Sequence, residues 1–270
     1  KLVQEVVKMI LESIYEPNFS DYSHGFRPNR SCHSALQQIQ NQFTGITWFV
    51  EGDIHACFDS FDHHVLVNIL RERIEDENFL ALIWKMLKAG YMEQWVYNCT
   101  FSGTPQGSGV SPMLANIYLS KLDEFAERLK KEFSKGKSKD NLEYSRAASK
   151  LYYIRRRNRA NWDSWNEQQR KEALRLQKDA ISYKHSLPSK RANNEDYKSL
   201  VYCRYADDFL IGVIGSFEDA SEIKDKFRVF LEDTLHLEMS EEKTKITHSQ
   251  DKSQIPRLRH YYSQEFSINV

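Results

Sequence analysis

The sequence lacks any long run of apolar residues, which argues against a membrane-spanning helix or a signal peptide. We therefore expect a cytoplasmic protein that has no membrane partner. Cysteine is also scarce: Cys32, Cys57, Cys99 and Cys203 are scattered and form no Cys-x-x-Cys pair. This spacing suggests neither a zinc site nor a disulfide framework, so reduced core thiols are expected.

The chain has no net charge, but its charges are unevenly distributed. Residues 128–198 contain 20 Lys and Arg against 9 Asp and Glu, a net charge of +11, and the remainder carries −11. Clustered cations favour phosphate backbones because binding releases condensed counterions, although a solvated helical surface has the same composition. A hydrophobic content of 40% in 270 residues is enough for a substantial folded core.

Apolar periodicity predicts most of the helices. Residues 1–15 repeat apolar side chains three and four positions apart, which is typical of an amphipathic helix. Further helices are predicted after Ser31, over 63–74 and 78–89, after Pro112 and after Ser216. Residues 134–198 are polar, basic and poor in aliphatic side chains, which indicates an inserted segment with helical patches.

Two strand patterns end or turn at aspartates. The run from Trp48 to Asp53 predicts a buried strand that ends at Asp53. Residues 200–213 form two β-prone runs separated by Ala206-Asp-Asp-Phe, which predicts a hairpin. Asp207 and Asp208 would lie at its tip, and Asp53 could join them from a neighbouring strand of one sheet.

Three carboxylates brought together require a nearby cation. Oxygen ligands alone favour Mg²⁺, which keeps several waters and completes its shell with substrate phosphates. Two such ions about 4 Å apart activate an attacking hydroxyl and neutralise a leaving pyrophosphate. Because adjacent residues of a tight turn point to different sides, Asp207 is expected to reach an ion more directly than Asp208. An Asp-Asp pair alone is a weak indication, since turn aspartates often cap their own backbone.

Three ordered motifs resemble those of reverse transcriptases. Tyr205-Ala-Asp-Asp matches the YxDD box, Asp53-Ile-His-Ala-Cys-Phe-Asp resembles the first carboxylate motif, and Thr104-Pro-Gln-Gly resembles the PQG motif. The blocks at 23–33, 204–212 and 237–245 are similar to those of group II intron maturases. The resemblance covers residues 1 to about 248.

The resemblance implies RNA-directed DNA polymerisation by a reverse transcriptase of a group II intron maturase, with intron RNA, primer DNA and dNTP as partners. Two Mg²⁺ ions would be held by Asp53, Asp207, Asp208 and the backbone carbonyl of Ile54. Lys243 would act on the departing pyrophosphate, although Lys245 competes for this role and a solvated lysine is the ordinary alternative.

The resemblance further implies a nucleotide pocket and RNA contacts. Phe58 would exclude a 2′-hydroxyl, and a core aromatic is the alternative. The nucleotide pocket would be formed by Cys57, Phe58, Gln106 and Gly107. Template or other RNA would be bound by Arg27, Arg30, Arg155, Arg156 and Arg157. For the first two arginines an ordinary surface position is equally consistent with the sequence.

Four polar residues near the first motif are predicted to have ordinary roles. Asp59 and Asp62 are interpreted as helix caps or surface charges. His63 and His64 are excluded as ligands of the polymerase ions, because adjacent helical histidines diverge and these ions prefer oxygen.

The fold implied is α+β, a polymerase right hand in which an antiparallel palm sheet packs on helices beside mostly helical fingers. The fingers are expected in residues 1–47 and 64–103, and the palm in residues 48–63, 104–133 and 199–270. Residues 134–198 would be a basic helical insertion.

The chain departs from the family pattern at both ends. A basic fingertip segment before the first helix and a helical thumb after the palm are not found, so the thumb is expected to be absent and primer extension weak. The insertion would contact intron RNA or a second copy, which leaves a homodimer through the insertion or fingers open. One alternative is an RNA-binding splicing cofactor. A second is a viral RNA-dependent RNA polymerase, and Phe58 and Tyr205-Ala-Asp-Asp disfavour this second alternative.

Overall fold

The computed structural model describes residues 2–89, 91–93, 96–98, 109–137, 139, 141–187, 197–249 and 251. The chain forms two compact units. The main unit comprises Lys1–Ser134 and Ser199–Val270, and the helical unit comprises Lys135–Lys198. No helix within the described residues is both long and apolar enough to span a membrane.

The main unit contains a short 3₁₀ helix, Glu16–Asn18, and seven of the described α-helices. They are α1 (Leu2–Tyr15), α2 (Cys32–Gln42), α3 (Cys57–Ser60), α4 (His63–Arg71), α5 (Glu77–Lys88), α6 (Ser111–Phe133) and α9 (Phe217–Leu235). Side chains of Ser31, Asp62, Asp76 and Ser216 accept hydrogen bonds from the first backbone amides of α2, α4, α5 and α9. These caps fix where each helix begins, since the first amides of a helix lack partners within it.

The strands of the main unit form two sheets. They are β1 (Trp48–Asp53), β2 (Tyr91–Glu93), β3 (Val96–Asn98), β4 (Ser199–Tyr205), β5 (Asp208–Ile214) and β6 (Lys245–His248). The larger sheet is antiparallel in the order β4-β5-β1-β6, and β2 pairs with β3 separately. The β4–β5 hairpin therefore lies directly beside β1, which carries Asp53 at its end.

The larger sheet is covered on both faces. One face packs against α6 and α9 in the main core, which includes Val50, Ile211, Leu122 and Phe227. The other face packs against α2 in a smaller cluster of Ala35, Phe43, Ile46, Cys203 and Leu210. Because successive strand residues point to opposite faces, a sheet covered on both sides has the nearly continuous apolar strands seen in β4 and β5.

The helical unit consists of α7 (Leu142–Asn161) and α8 (Glu167–Ser186). The helices run antiparallel, because Tyr144 near the start of α7 contacts Lys184 near the end of α8, while Arg157 contacts Trp165 at the turn. Among its described residues, the buried apolar side chains are those of Ala147, Leu151 and Ala173. The buried Asn158 amide donates to the Ala173 carbonyl and to Gln177. Most of its surface is polar.

The structure confirms the predicted helices after Ser31, Pro112 and Ser216, the strand that ends at Asp53 and the hairpin within residues 200–213. The helices predicted over 63–74 and 78–89 span His63–Arg71 and Glu77–Lys88. Strand β6 was not predicted. Its sequence Lys-Ile-Thr-His is short and polar, and its pairing with β1 is a long-range contact that local pattern does not show.

Candidate active site

A two-residue turn joins β4 to β5 and carries one of the expected carboxylates. Tyr205 pairs with Asp208 across the hairpin, which leaves Ala206 and Asp207 in the turn. Ala206 has φ 57°. The turn types favoured in two-residue β-hairpins require a positive φ at this first turn position. The turn thus presents Asp207 at the end of the sheet, immediately before Asp208 at the start of β5.

Asp53 lies at the same end of the sheet as the Ala206-Asp207 turn, at the last position of β1. It is the register partner of Asp208 across the β1–β5 ladder and is only 6% exposed. Directly opposite residues of an antiparallel pair have Cβ atoms about 4.5–5.5 Å apart, so these two carboxylates begin from neighbouring positions. The Asp53 carbonyl accepts a hydrogen bond from the Ser240 amide at 2.8 Å, which fixes the strand end against the segment after α9.

A lysine ammonium already contacts this site. Lys243 Nζ lies 3.0 Å from Asp53 Oδ2, although the lysine side chain is 58% exposed. Lys245 instead lies on β6, in register with Glu51. Of the two lysines that the sequence left in competition, Lys243 is therefore the one in contact with Asp53.

The buried Cys57 thiol is affected by the charges of two of the carboxylates. Burial raises the pKa of the Cys57 thiol, and the negative charges of Asp207 and then Asp53 raise it further. Both carboxylates thus act on the same thiol. Asp208 instead lines a small cavity together with Cys32, Ala35 and Leu36 from the start of α2.

No group of three or more His, Cys, Asp and Glu side chains within the described residues is arranged to hold a metal ion. A polymerase ion does not need such a group, because Mg²⁺ keeps several waters and takes substrate phosphates as ligands. The donors here are carboxylate oxygens at one sheet edge, and one of them already bonds a cation, the Lys243 ammonium. Hard oxygen donors with a cation in contact fit Mg²⁺.

The Ala206-Asp207 turn is tied to the core by a buried arginine for which the sequence predicted no role. Arg204 is 1% exposed and forms a bidentate ion pair with Asp123 of α6, at 2.8 and 2.7 Å. Its guanidinium also donates to the Ala206 carbonyl at 2.7 Å. Burial alone would lower the pKa of Arg204, but the Asp123 carboxylate raises it, so the guanidinium stays charged. A charged residue inside an otherwise apolar strand was the sequence signal for it.

The expected nucleotide residues differ in their positions. Phe58 is partly buried and meets the rings of Phe26 and Phe61 edge-on, at centroid distances of 6.2 and 6.1 Å. Ile54 and Cys57 are buried at 2% and 3% exposure, so any contact with an ion or a triphosphate would use their backbones. Gln106 and Gly107 lie outside the described residues.

The two arginines expected at the template have different surroundings. Arg27 is 8% exposed, pairs with Glu16 at 2.9 Å, and donates to the carbonyls of Ser20 and Ser23. Its guanidinium is used within the protein, and its burial does not fit the ordinary surface position that was the alternative to template contact. Arg30 pairs with the exposed Asp21 at 2.6 Å and is the more accessible of the two.

Arg155, Arg156 and Arg157 belong to the helical unit. All three are exposed on α7, and Arg157 also lies 5.6 Å from the centre of the Trp165 ring. A groove along α7 is lined by Arg146, Lys150, Tyr153 and Arg157 among others. Cationic and aromatic side chains are therefore combined on one helix.

The structure confirms that Asp62 is a helix cap. Its carboxylate accepts from the amides of His64 and Val65, and its second oxygen lies 3.0 Å from His236 Nδ1. The rings of His63 and His64 both pack near Trp84. Asp59 is exposed in α3.

An antiparallel sheet backed by helices, with carboxylates at one strand end and at the adjoining hairpin turn, defines the palm of a nucleic-acid polymerase. A sequence model of the reverse transcriptase (RNA-dependent DNA polymerase) family matches residues 1–141, just over half of the chain. The chain belongs to the reverse transcriptase family.

Curated relatives narrow the similarity to intron-encoded proteins. Group II intron-encoded protein LtrA of Lactococcus lactis subsp. cremoris is 47% identical over 251 residues, which cover 92% of this chain and 41% of LtrA. An uncharacterized 91 kDa protein in the cob intron of Schizosaccharomyces pombe is 45% identical over 92% of this chain and 29% of its own length. This chain therefore spans less than half of either relative.

A solved structure supports the fold. Telomerase from Candida tropicalis, determined with a fragment of telomeric RNA, aligns with 92% of this chain and 33% of its own at a TM-score of 0.50 and 10% identity. At that identity the likeness shows the right-hand polymerase fold alone. The α+β fold predicted from the sequence is confirmed.

Proposed function

We propose that this chain catalyses RNA-directed DNA synthesis, transferring nucleotides from dNTP to the 3′-hydroxyl of a primer on an RNA template. The observation that supports this most directly is the pairing of Asp53 with Asp208 beside the Asp207 turn, with Lys243 in contact with Asp53. Membership of the reverse transcriptase family supports the same reaction.

In this proposal Asp53, Asp207, Asp208 and the Ile54 carbonyl hold two Mg²⁺ ions. When bound, the ions activate the attacking hydroxyl and stabilise the leaving pyrophosphate. Asp207 lies in the turn itself, whereas Asp208 begins β5 and borders the cavity beside α2, so we infer that Asp207 reaches an ion more directly than Asp208.

In this proposal the remaining site residues orient the nucleotide and distinguish dNTP from rNTP. Lys243, which neutralises Asp53 in the absence of substrate, is free to turn toward pyrophosphate because its side chain is largely exposed. Phe58, whose ring contacts those of Phe26 and Phe61, excludes the 2′-hydroxyl of a ribonucleotide in this proposal. Cys57, Gln106 and Gly107 complete the nucleotide pocket.

We assign the fingers to residues 1–47 and 64–103, and the palm to residues 48–63, 104–133 and 199–270. This places β1 and the β4–β5 hairpin, which carry the three aspartates, in the palm. The apolar side chains of Leu2, Val6 and Met9 on α1 are more than half exposed, and they are the surface of the fingers most suited to a second copy.

Primer extension by the 270-residue chain tests the reaction. With Mg²⁺, an RNA template and a DNA primer, Asp207→Asn and Asp53→Asn should each lower the rate at least ~10³-fold, because each removes several kcal/mol of charge stabilisation. Asp59→Asn changes an exposed carboxylate of the same motif and should leave the rate unchanged. An Asp207→Asn variant with the wild-type rate would exclude the proposal. The wild-type rate also tests the expectation of weak extension.

The surface of the helical unit supports a second candidate function, that of an RNA-binding cofactor in intron splicing. It carries the basic groove of α7 with exposed Tyr152 and Tyr153, and exposed aromatic and cationic side chains bind RNA by base stacking and phosphate contact. Arg30 in the main unit is a weaker candidate for template contact. Binding of this kind would persist in Asp207→Asn.

Salt dependence measures the phosphate contacts. Replacing Arg155, Arg156 and Arg157 with Gln should weaken binding of intron RNA and reduce the slope of log affinity against log salt by about 2–3. Replacing Lys224, Lys226 and Arg228 of α9 with Gln makes the same change in charge elsewhere and is the control. Equal effects of both triple substitutions would mean that net charge, and not the α7 surface, determines binding.

A further inference from the structure

We propose that the buried Arg204–Asp123 ion pair is a positioning device that holds the Ala206-Asp207 turn in the conformation that binds the ions. This inference rests on the proposed function, since it concerns how the same site is held. Neither residue has to touch substrate for it. Arg204 acts on Asp207 through the backbone of Ala206.

The guanidinium joins three separate parts of the main unit. It pairs with Asp123 of α6 through Nε and Nη2, and Nη2 also donates to Ser23 Oγ at 2.8 Å. Nη1 donates to the Ala206 carbonyl at 2.7 Å and to Asn116 Oδ1 at 3.4 Å. All five guanidinium N–H groups are thereby used, which a lysine with one nitrogen could not reproduce.

The turn has a physical need for such support. Ala206 has a Cβ and yet adopts φ 57°, a left-handed conformation that is disfavoured for residues other than glycine. The turn also brings Asp207 and Asp208 next to each other, and their like charges favour spreading apart. A hydrogen bond from a fixed, charged donor to the Ala206 carbonyl opposes both tendencies.

The neighbouring backbone is fixed by the same residues. Asn116 Nδ2 donates to the Gly25 carbonyl at 2.8 Å, and the segment around Ser23 pairs with Arg204 in a parallel bridge. The His24 amide donates to the Arg204 carbonyl at 2.9 Å, and the Arg204 amide donates to the Tyr22 carbonyl at 2.8 Å. Arg204 is thus held by its backbone and its side chain at once.

A buried ion pair usually stabilises a core no better than apolar side chains of the same volume. Desolvation of both charges cancels much of their attraction, and apolar pairs of similar volume often give equal or higher stability. Arg204 and Asp123 have 0% and 1% exposed side chains, so this penalty applies in full. A geometric role at the turn accounts for a pair whose contribution to stability is small.

The test measures Mn²⁺ binding by the full 270-residue chain, using electron paramagnetic resonance, together with the Mg²⁺ dependence of primer extension. The relevant site is the Mn²⁺ binding that Asp207→Asn abolishes. Arg204→Lys, which keeps the positive charge, and Asp123→Asn, which leaves the buried Arg204 charge unpaired, should each raise both the Mn²⁺ dissociation constant and the half-saturating Mg²⁺ about tenfold, the effect of one lost charge-assisted hydrogen bond. Tyr202→Phe removes the 3.0 Å hydrogen bond to Asp123 Oδ1 without touching the turn and should change neither.

A rescue separates positioning from general loss of structure. Adding Ala206→Gly to Arg204→Lys supplies a residue that adopts a left-handed φ without cost, so Mn²⁺ affinity should recover about threefold or more. A merely structural role would lower the folded fraction, measured by circular dichroism, and leave the affinity of the folded fraction unchanged.

The outcomes distinguish the two proposals. If wild type binds Mn²⁺ at the Asp207 site and extends primers, while Arg204→Lys and Asp123→Asn keep wild-type metal affinity, the positioning role is wrong and the proposed function stands. If wild type neither binds Mn²⁺ nor extends primers, the proposed function fails and the positioning role fails with it. If Asp123→Asn does not fold because the buried Arg204 charge is unpaired, Arg204→Lys and its Ala206→Gly rescue decide the outcome.

Discussion

Gly25 lies directly against the backbone of Ala206, so that a Cβ atom at position 25 would stand 2.8 Å from Ala206 Cα and nearer still to its nitrogen. Real Cβ atoms essentially never make contacts this close. The obstacle is backbone, which cannot swing aside as a flexible side chain can. The left-handed turn that carries Asp207 is therefore packed from outside by a residue that must lack a side chain.

Gly25→Ala should displace the turn. We expect a loss of about 1–3 kcal/mol in the free energy of unfolding, as for other overpacked sites, and a larger proportional loss of primer extension. Gly109→Ala is the control, because the one contact of a Cβ there with the described part of the chain would be Glu5 Oε2 at 3.2 Å, the end of a flexible side chain. Urea denaturation and primer extension measure the two effects. Wild-type activity in Gly25→Ala would mean that the turn tolerates a shift of its backbone.

Lys243→Met should lower kcat for primer extension by about 10²-fold or more, within the usual contribution of a positioned proton donor, and change KM for dNTP little. Stability should change by less than about 1 kcal/mol, because the ion pair with Asp53 is exposed on the lysine side. Lys245→Met on β6 removes a neighbouring charge and should keep kcat. Equal losses in the two variants would assign the effect to local charge and not to Lys243.

The sequence predicted the parts of this site that depend on local pattern. The hairpin was visible because two apolar runs flank Ala206-Asp-Asp-Phe, and the caps at Ser31 and Ser216 precede amphipathic stripes. Asp53 could be placed at a strand end because the residues before it are apolar and β-prone. These features can be predicted without knowing which helices and strands pack against each other.

Features that depend on distant contacts were not predicted. The position of Arg204 in an apolar strand indicated a buried charge, but its partner Asp123, 81 positions away, could not be read from the sequence. Arg27 was a candidate for template contact or for an ordinary surface position, and the use of its guanidinium by Glu16 and two backbone carbonyls could not be read from the sequence. An arginine has the same appearance in a sequence whether it faces RNA or a buried carboxylate.

Phe58→Val should weaken the discrimination against ribonucleotides. A smaller side chain leaves room for a 2′-hydroxyl, and we expect incorporation of rNTP relative to dNTP to rise about 10–100-fold. The ratio does not depend on the fraction of folded protein. Phe61→Leu alters the fully buried ring that contacts Phe58 and should lower stability with less effect on the ratio. An unchanged ratio in Phe58→Val would leave Phe58 as a core aromatic.

Asp62 gives the main unit a pH-dependent contribution to stability. Burial acts to raise the pKa of Asp62, but hydrogen bonds from His236 and from the amides of Val65 and His64 outweigh it and hold the pKa below its usual value. A carboxyl whose pKa is lower in the folded state stabilises the fold above its unfolded pKa, about 4, and this stability is lost as the pH falls through the folded value. Wild type should therefore lose stability more steeply than Asp62→Asn between about pH 5 and pH 3.

The asparagine substitution isolates the charge, because Asn caps a helix about as well as Asp, whereas Asp62→Ala should cost about 1 kcal/mol at every pH through the lost cap. The partly exposed ion pair with His236 limits the difference between wild type and Asp62→Asn near neutral pH to less than about 1 kcal/mol. Urea denaturation followed by circular dichroism across this pH range measures all three proteins. Parallel curves for wild type and Asp62→Asn would show that the charge of Asp62 contributes nothing and that its role is the cap alone.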